Sequence, residues 1–394
     1  MDFKEESLEY HRGKNGRAGK IGVAVLTSVK SKADLSLAYT PGVAAPCLEI
    51  AKNKEKVYEY TSKGNSVVVV SNGTAVLGLG NIGAAASKPV MEGKALLFKH
   101  FADIDAVDIE IDSEDVDEIV RTIELISGTY GGINLEDFKA PECFEIEKRL
   151  KDKLSIPVFH DDQHGTAVVV GAGLLNALKI AGKKIGEVKV VLNGAGAAGI
   201  AIGKMLRGLG VMKKSLIMCD SKGVVYTGRE ADETKLEFAI DTNRRSLTDA
   251  MEGADVFVGV STRDVLVPEM LLSMRENPIV FALANPDPEI DYDLVKKTRD
   301  DVIMATGRSD YPNQVNNSLG FPGIFRGALD VRASDINEEM KIAAVHALSG
   351  LVEEPTRERF IVDPFDKRIV KVVAEGVGDA AKKSGVCREV VDEC

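Results

Sequence analysis

Two pairs of adjacent carboxylates are the residues of this sequence best suited to do chemistry. Glu136 and Asp137 follow a short apolar run, and Asp161 and Asp162 lie between two histidines in the segment IPVFHDDQHGTA, residues 156–167. Carboxylate oxygens from two separate turns form the oxygen-rich kind of site that binds Mg²⁺ or Mn²⁺. Acidic pairs also cap helices or face water, so neither pair taken alone establishes a metal site.

Four other side chains carry a weaker signal. His160 and His164 flank the second acidic pair, but histidines four residues apart outside an HExxH helix are more often structural than metal-binding. Tyr39 comes just before a Thr-Pro-Gly bend, and Lys94 follows Gly93 in a predicted helix. Each of these two residues, considered alone, is typical of ordinary packing or of the surface.

A glycine-rich turn follows the predicted strand VKVVLN and opens an amphipathic helix. This context is typical of a dinucleotide fingerprint, because the diphosphate can approach the free N–H groups of the helix N-terminus. The residues of the turn are Gly194, Ala195, Gly196, Ala197, Ala198 and Gly199. The next predicted strand ends at Asp220, whose carboxylate favours NAD, whereas Lys222 would favour NADP, and the choice between them stays open.

A second match to GxGxxG lies at residues 78–83. An Asn-Gly pair at residues 72–73 predicts a hairpin between strands at 66–71 and 75–79, rather than a strand–turn–helix unit. Pro89 would also break a helix opening at this point. We therefore interpret this segment as a close-packed structural turn.

The second half of the chain alternates predicted strands and helices, which is typical of a doubly wound parallel sheet. Asn285 and Asn317 lie in Pro- and Gly-rich loops after strands of this sheet, at the edge that faces a ligand. With 394 residues the chain exceeds the usual size of one core, so two domains are expected, divided at residues 1–160 and 161–394.

Composition excludes several classes of partner. A net charge of −11 argues against nucleic acid or an anionic membrane, since both need a basic face. The longest apolar run, residues 166–178, is too short to span a bilayer. Without CxxC spacing, a transit segment or an apolar leader, the protein is expected to be cytoplasmic with reduced cysteines. The cysteines are Cys47, Cys143, Cys219, Cys387 and Cys394.

Five segments together carry a resemblance that covers nearly the whole chain. They are AYTPGVAAPC, GLGNIGAAASKPVMEGKALLFK, INLEDF, PVFHDDQHGTA and VVLNGAGAAGIA. In this order and approximate spacing they resemble the malic enzyme family, in its short prokaryotic form. The resemblance implies an α/β fold in which an N-terminal malate and metal domain precedes a Rossmann-like, doubly wound NAD(P)-binding domain.

The resemblance also implies a role for each matched residue. Tyr39 is expected to be the general acid and Lys94 the general base, with Asp161 beside Lys94 to tune it. The expected metal ligands are Glu136, Asp137 and Asp162. The expected contacts to substrate and nicotinamide are Asn285 and Asn317. Lys94 can accept a proton only when neutral, so its pKa is expected to fall from about 10.4.

The implied activity is oxidative decarboxylation of (S)-malate to pyruvate and CO₂ by a homodimer, with NAD or NADP and with Mg²⁺ or Mn²⁺. Two alternatives stay open: decarboxylation to lactate with retained NAD, and a non-catalytic nucleotide-binding regulator. One position departs from the larger members, which carry a substrate-binding Arg where this chain has Ala75. The distal carboxylate would then be anchored by Asn285, Asn317 or a residue of a second subunit.

Overall fold

The computed structural model describes residues 2–13 and 18–388, apart from the side chain of Leu77. Its helices are α1 (Phe3–Arg12), α2 (Lys32–Ala38), α3 (Ala44–Lys52), α4 (Val57–Tyr60), α5 (Ala84–Ala102), α6 (Val116–Ile126), α7 (Glu142–Lys153), α8 (Asp161–Ala181), α9 (Ala197–Gly208), α10 (Glu233–Leu236), α11 (Leu247–Met251), α12 (Pro268–Leu272), α13 (Tyr292–Thr298), α14 (Phe321–Asp330), α15 (Glu338–Gly350) and α16 (Ile369–Lys383). Its strands are β1 (Ser66–Ser71), β2 (Asp105–Glu110), β3 (Gly132–Leu135), β4 (Val158–His160), β5 (Val190–Asn193), β6 (Leu216–Asp220), β7 (Gly223–Val224), β8 (Val256–Gly259), β9 (Ile279–Ala282) and β10 (Ile303–Thr306).

The first sheet has four parallel strands in the order β2-β1-β3-β4. Its central strand β1 is the valine run SVVVVS, of which all but the first residue are buried, as expected for a parallel strand covered on both faces. Parallel strands end at the same edge, so the loops after β1, β3 and β4 meet there. This edge carries both acidic pairs.

The predicted hairpin after β1 is wrong. Residues 75–79 form no strand but a tight turn, in which Val76 N–H donates to Gly80 O, and the chain then enters α5. Pro89 lies inside α5 without ending it. A proline near a helix start removes one backbone hydrogen bond, and here the buried face of α5 continues through Met91, Ala95 and Phe98. The segment β1-α5-β2 is therefore a strand–helix–strand unit.

The second sheet confirms the predicted doubly wound architecture. Its six strands run in the order β10-β9-β8-β5-β6-β7, all parallel except β7. The order reverses at β5, where a doubly wound sheet binds its ligand. The glycine-rich turn at residues 194–196 lies directly after β5 and leads into α9.

Helix α8 runs through the centre of the molecule. It begins at Asp161, so the second acidic pair forms its first turn. By length and composition it could cross a membrane, but 67% of its apolar window is buried inside the protein. It is therefore a core helix of the described chain.

The two sheets share one hydrophobic core. Helix α14, from the second half of the chain, packs on the first sheet through ring contacts of Phe98 with Phe321 and Phe325, at centroid distances of 4.7 and 5.1 Å. Phe159 of β4 contacts Phe325 at 5.7 Å. The domain division at residue 160 stays a prediction. Helix α14 follows this division in the sequence but packs on the sheet that precedes it.

Of the N-terminal residues that the structure describes, 2–13 and 18–65, none is buried in this core. The helices of this region are α1 to α4, which are short and separated by irregular segments. Residues 22–41 are exposed throughout, except for the partly buried Asp34. We call this segment the apolar arm, because its exposed side chains include Val23, Val25, Leu26, Val29, Leu35, Leu37 and Tyr39.

Candidate active site

Three carboxylates meet at the edge of the first sheet. Glu136 and Asp137 follow β3, and Asp162 stands in the first turn of α8, directly after β4. Because β3 and β4 pair in parallel, their ends are neighbours, and one ligand oxygen from each of the three residues lies within 4.8 Å of the others. Asp137 N–H donates to Asp162 Oδ2 at 2.7 Å, which fixes the two turns against each other.

Lys94 enters the same cluster from α5. Its side chain is only 6% exposed, and its Nζ lies 2.5 Å from Asp161 Oδ2 and 2.9 Å from Glu136 Oε1. The ring of Phe321 covers it at 4.3 Å. Burial alone would lower the pKa of Lys94, but the carboxylates of Asp161 and Glu136 outweigh it and raise that pKa above its ordinary value. The charges of the protein itself therefore raise the pKa of Lys94, and the fall in this pKa expected from the sequence is not found.

The donor set fits a divalent cation. Glu136 is buried, and burial together with the neighbouring carboxylates raises its pKa well above the ordinary value, although Lys94 opposes this. Several buried polar atoms around the cluster have no hydrogen-bond partner among the described residues: Asn134 Oδ1, Asp161 Oδ1 and both ring nitrogens of His160. Excess negative charge and unpaired buried polar atoms are both relieved by a hydrated metal ion. Asp162, whose side chain is 33% exposed, leaves the cluster accessible.

The two asparagine loops approach this edge. A Cβ on Gly165 would collide with Asp161 and lie 3.0 Å from Asn317 Cβ, so the glycine lets Asn317 pack beside the start of α8. The carbonyl oxygen of Asn285 lies 2.7 Å from where a Cβ on Gly78 would stand. The loop at residues 78–83, which is exposed at residues 78–81, thus faces the loop that carries Asn285.

Tyr39, the predicted general acid, lies outside this cluster. Its side chain is 69% exposed in the apolar arm, and it makes no hydrogen bond to a described residue. Its backbone N–H ends α2 by donating to Leu35 O.

A cleft of about 850 Å³ lies beside the glycine-rich turn. Gly194 has a φ of 119°, and a Cβ there would lie 2.6 Å from Val260 O, so this position requires glycine. A Cβ on Gly196 would meet nothing within 4 Å, which leaves room for a ligand. Helix α9 begins here without a side-chain cap, so its first N–H groups are available to a diphosphate.

Asp220 lies in the same cleft but is already paired. Arg229 Nη2 donates to both of its carboxylate oxygens at 2.6 Å, and Lys222 N–H donates to Oδ1 at 2.9 Å. The cleft is also lined by Lys222, Lys235 and Arg245. Its ribose end is therefore more cationic than Asp220 alone indicates.

Comparison with known proteins agrees with this geometry. Residues 18–151 match the family model described as the malic enzyme N-terminal domain, and residues 163–383 match that of the malic enzyme NAD binding domain. The chain belongs to the malic enzyme family.

Among solved malic enzymes, the structure from Pyrococcus horikoshii superposes with a TM-score of 0.94 at 46% identity, covering 98% of this chain and 92% of that one. A bifunctional malic/malolactic enzyme of Bacillus subtilis is 54% identical over 100% of this chain and 96% of its own length. A probable NADP-dependent malic enzyme of Rickettsia prowazekii is also 54% identical, over 97% of this chain but only 52% of its own length. The chain thus spans about half the length of some curated malic enzymes that it matches.

Several residues of this malic enzyme site were not found from the sequence. Asn134, whose Nδ2 donates to Glu136 Oε2 at 2.8 Å, lies in β3 two residues before Glu136, and the period of two in INLEDF could have indicated it. Phe321 over Lys94 and Arg229 on Asp220 follow from tertiary structure, and no local pattern marks either one. Glu147, described below, is a third such residue.

Proposed function

We propose that this chain catalyses the oxidative decarboxylation of (S)-malate to pyruvate and CO₂, with reduction of NAD(P) and a divalent metal. The observation that supports it most is the ammonium of Lys94, held 2.5 Å from Asp161 and 2.9 Å from Glu136, where Glu136 also belongs to the three-carboxylate cluster. Because Glu136 contacts Lys94 and also belongs to the three-carboxylate cluster, the base would lie beside the ion. This arrangement suits a substrate whose C2 hydroxyl binds the ion and loses its proton there.

In this proposal Glu136, Asp137 and Asp162 would hold Mg²⁺ or Mn²⁺. When bound, the ion would lower the pKa of the C2 hydroxyl, polarise the keto oxygen formed there and offset the carboxylates that raise the pKa of Lys94. In its neutral form Lys94 Nζ accepts the hydroxyl proton, and bound NAD(P) would supply the acceptor for the hydride that leaves C2. Asp161 orients Lys94 through their ion pair, and Phe321 excludes water from it.

The remaining residues act on the cofactor and on the last proton. The N–H groups at the start of α9 would bind the cofactor diphosphate. The side chains of Asn285 and Asn317 orient the substrate carboxylates. Tyr39 Oη donates the proton that C3 gains when CO₂ leaves, and this requires that its exposed side chain be brought to a site.

The deciding experiment is an assay of NAD(P)H and pyruvate from L-malate, with Mn²⁺ and then with excess EDTA. We expect both products in equal amounts and their loss with EDTA. Lactate without net NAD(P)H would instead support the malolactic alternative, to which the Bacillus subtilis relative gives weight. Oxaloacetate without pyruvate would remove the decarboxylation step, and the absence of all products would favour the non-catalytic regulator.

We propose NADP as the preferred cofactor. Arg229 offsets the charge of Asp220, which removes most of the repulsion that a free carboxylate would exert on a 2′-phosphate. Lys222, Lys235 and Arg245 line the same cleft, and although Asp232 pairs with Lys235 at 2.9 Å, the charges of Lys222 and Arg245 are not offset by an ion pair to a described residue.

A double variant, Lys222→Ser with Lys235→Ser, tests this preference. Because each charged contact to a phosphate contributes about 1.5 kcal/mol or more, we expect the KM for NADP to rise at least about tenfold and the KM for NAD to stay unchanged. Lys204→Ser, on α9 but facing another cavity, is the control. Equal changes in both KM values would contradict a role in reading the 2′-phosphate.

We also propose that the protein is a homodimer in which the apolar arm is covered by a second copy. Val23 is 95% exposed, and the arm presents a run of such side chains, which a soluble protein normally buries against a partner. The second copy is the favoured partner because the site of each chain lacks the hydroxyl of Tyr39, which the arm carries. Each arm would then complete the site of the other subunit.

Mixing two inactive variants tests whether the arm of one subunit completes the site of the other. We expect Tyr39→Phe and Lys94→Met each to lose at least about 100-fold in kcat. After dissociation and reassociation together, activity should return to about one quarter of the wild-type value, because half of the dimers are mixed and each has one intact site. Activity that stays at the level of the single variants would show that Tyr39 serves its own chain.

The cytoplasm remains the proposed compartment. The four cysteines in the described residues, Cys47, Cys143, Cys219 and Cys387, are free thiols, which suits a reducing environment. Cys394 lies outside the described residues.

A further inference from the structure

A buried carboxylate that the proposed reaction does not use lies behind the start of α8. Glu147 on α7 is 7% exposed. Its Oε1 accepts from His160 N–H at 3.3 Å, its Oε2 accepts from Gln163 Nε2 at 3.3 Å, and His164 Nε2 donates to both oxygens at 2.9 and 3.0 Å. Three donors from one short segment therefore converge on a single side chain from another helix.

The contact continues beyond His164 to the second half of the chain. Lys341 on α15 is 3% exposed, and its Nζ donates to His164 Nδ1 at 3.1 Å and to Glu338 Oε1 at 2.6 Å. Because an ammonium can only donate, this bond leaves the ring proton of a neutral His164 on Nε2, the atom that faces Glu147. Lys341 thus fixes the tautomer that Glu147 needs.

The position of this contact relative to the active site is what gives it significance. Asp161, which pairs with Lys94, and Asp162, a metal-ligand candidate, are the first two residues of α8. His160 precedes them without capping the helix through its side chain, and Gln163 follows them. Glu147 therefore binds the chain on both sides of these two aspartates, and nothing else among the described side chains does so.

We propose that Glu147 is a positioning residue that sets the start of α8, and with it Asp161 and Asp162, in the geometry needed to bind the metal. Lys341 supports it through His164. This inference rests on the proposed function, because it assumes that the three-carboxylate cluster is a metal site. Partners of this kind behind metal ligands commonly contribute 10–100-fold to metal affinity.

The test is a titration of the full chain with Mn²⁺, in which the electron paramagnetic resonance signal of free Mn²⁺ measures binding directly. Glu147→Gln keeps the shape but turns an amide toward donors that need an acceptor, so we expect about tenfold weaker binding. The KM for Mn²⁺ should rise by the same factor, with kcat at saturating Mn²⁺ nearly unchanged. Glu145→Gln, exposed on the same helix and paired with Arg149, should change neither. Circular dichroism and Tm verify folding.

A second variant separates positioning from simple charge. If Glu147 acted only by attracting the cation, Lys341→Met would remove a positive charge and strengthen Mn²⁺ binding. If it positions α8, Lys341→Met frees the tautomer of His164 and weakens binding, in the same direction as Glu147→Gln. Wild-type affinity in both folded variants, or stronger binding by Lys341→Met, would overturn the inference. Wild-type protein that binds no Mn²⁺ would instead refute the proposed function.

Discussion

Replacing Lys94 by methionine is expected to lower kcat for malate oxidation about 10³-fold, within the range usual for loss of a positioned acid or base. Methionine keeps the packing against Phe321 but has no nitrogen to accept the C2 hydroxyl proton. It also leaves the buried carboxylates of Asp161 and Glu136 without their shared cation, so Tm should fall as well. The measurement is NAD(P)H formation at saturating malate and Mn²⁺.

Lys88→Met is the matched control for this variant. Lys88 lies on the same helix and pairs with Asp108 at 2.7 Å, but its side chain is 47% exposed. We expect its kcat to be unchanged, since its carboxylate partners Asp108 and Glu110 lie outside the three-carboxylate cluster. If Lys94→Met retained most of its activity while folded, another group would have to be the base.

Asp162→Asn is expected to raise the KM for Mn²⁺ by at least about 100-fold, more than loss of a supporting contact would. The asparagine Oδ1 can still accept the N–H of Asp137, so the turn that joins the two strand ends is retained. Only the negative charge and one strong ligand oxygen are removed. The effect can therefore be assigned to metal binding and not to a distorted loop.

The control for Asp162→Asn is Asp152→Asn, which is exposed near the end of α7 and is not one of the three clustered carboxylates. Its Mn²⁺ dependence should match that of the wild-type protein. Titration of each variant with Mn²⁺ in the absence of malate separates weaker metal binding from weaker substrate binding. An unchanged Mn²⁺ affinity in folded Asp162→Asn would exclude Asp162 from the ligand set.

The fold could be predicted where the sequence carries its own periodicity. The second sheet follows from regular alternation, and its glycine turn lies where the fingerprint places it. The hairpin predicted after β1 was wrong because Asn72-Gly73 gives a local turn signal, whereas tertiary packing turns the chain into α5. The expectation that Pro89 breaks the helix was wrong for the same reason, because the burial of α5 outweighs one missing hydrogen bond.

The site was predictable as a set of residue types but not as an arrangement. Glu136, Asp137 and Asp162 were recognised from motifs, and their convergence follows from the parallel pairing of β3 and β4. Lys94 and Asp161 are 67 residues apart, and Lys341 and His164 are 177 apart. No local pattern encodes such contacts, because they depend on how helices pack across the core.

The shared core beneath α14 has a consequence for how the molecule comes apart. Phe98 of the first half and Phe321 and Phe325 of the second half bury one another, so neither half can lose its structure without exposing the apolar face of the other. We therefore expect the two sheets to unfold in one cooperative transition, so that the free energy of unfolding belongs to the chain as a whole.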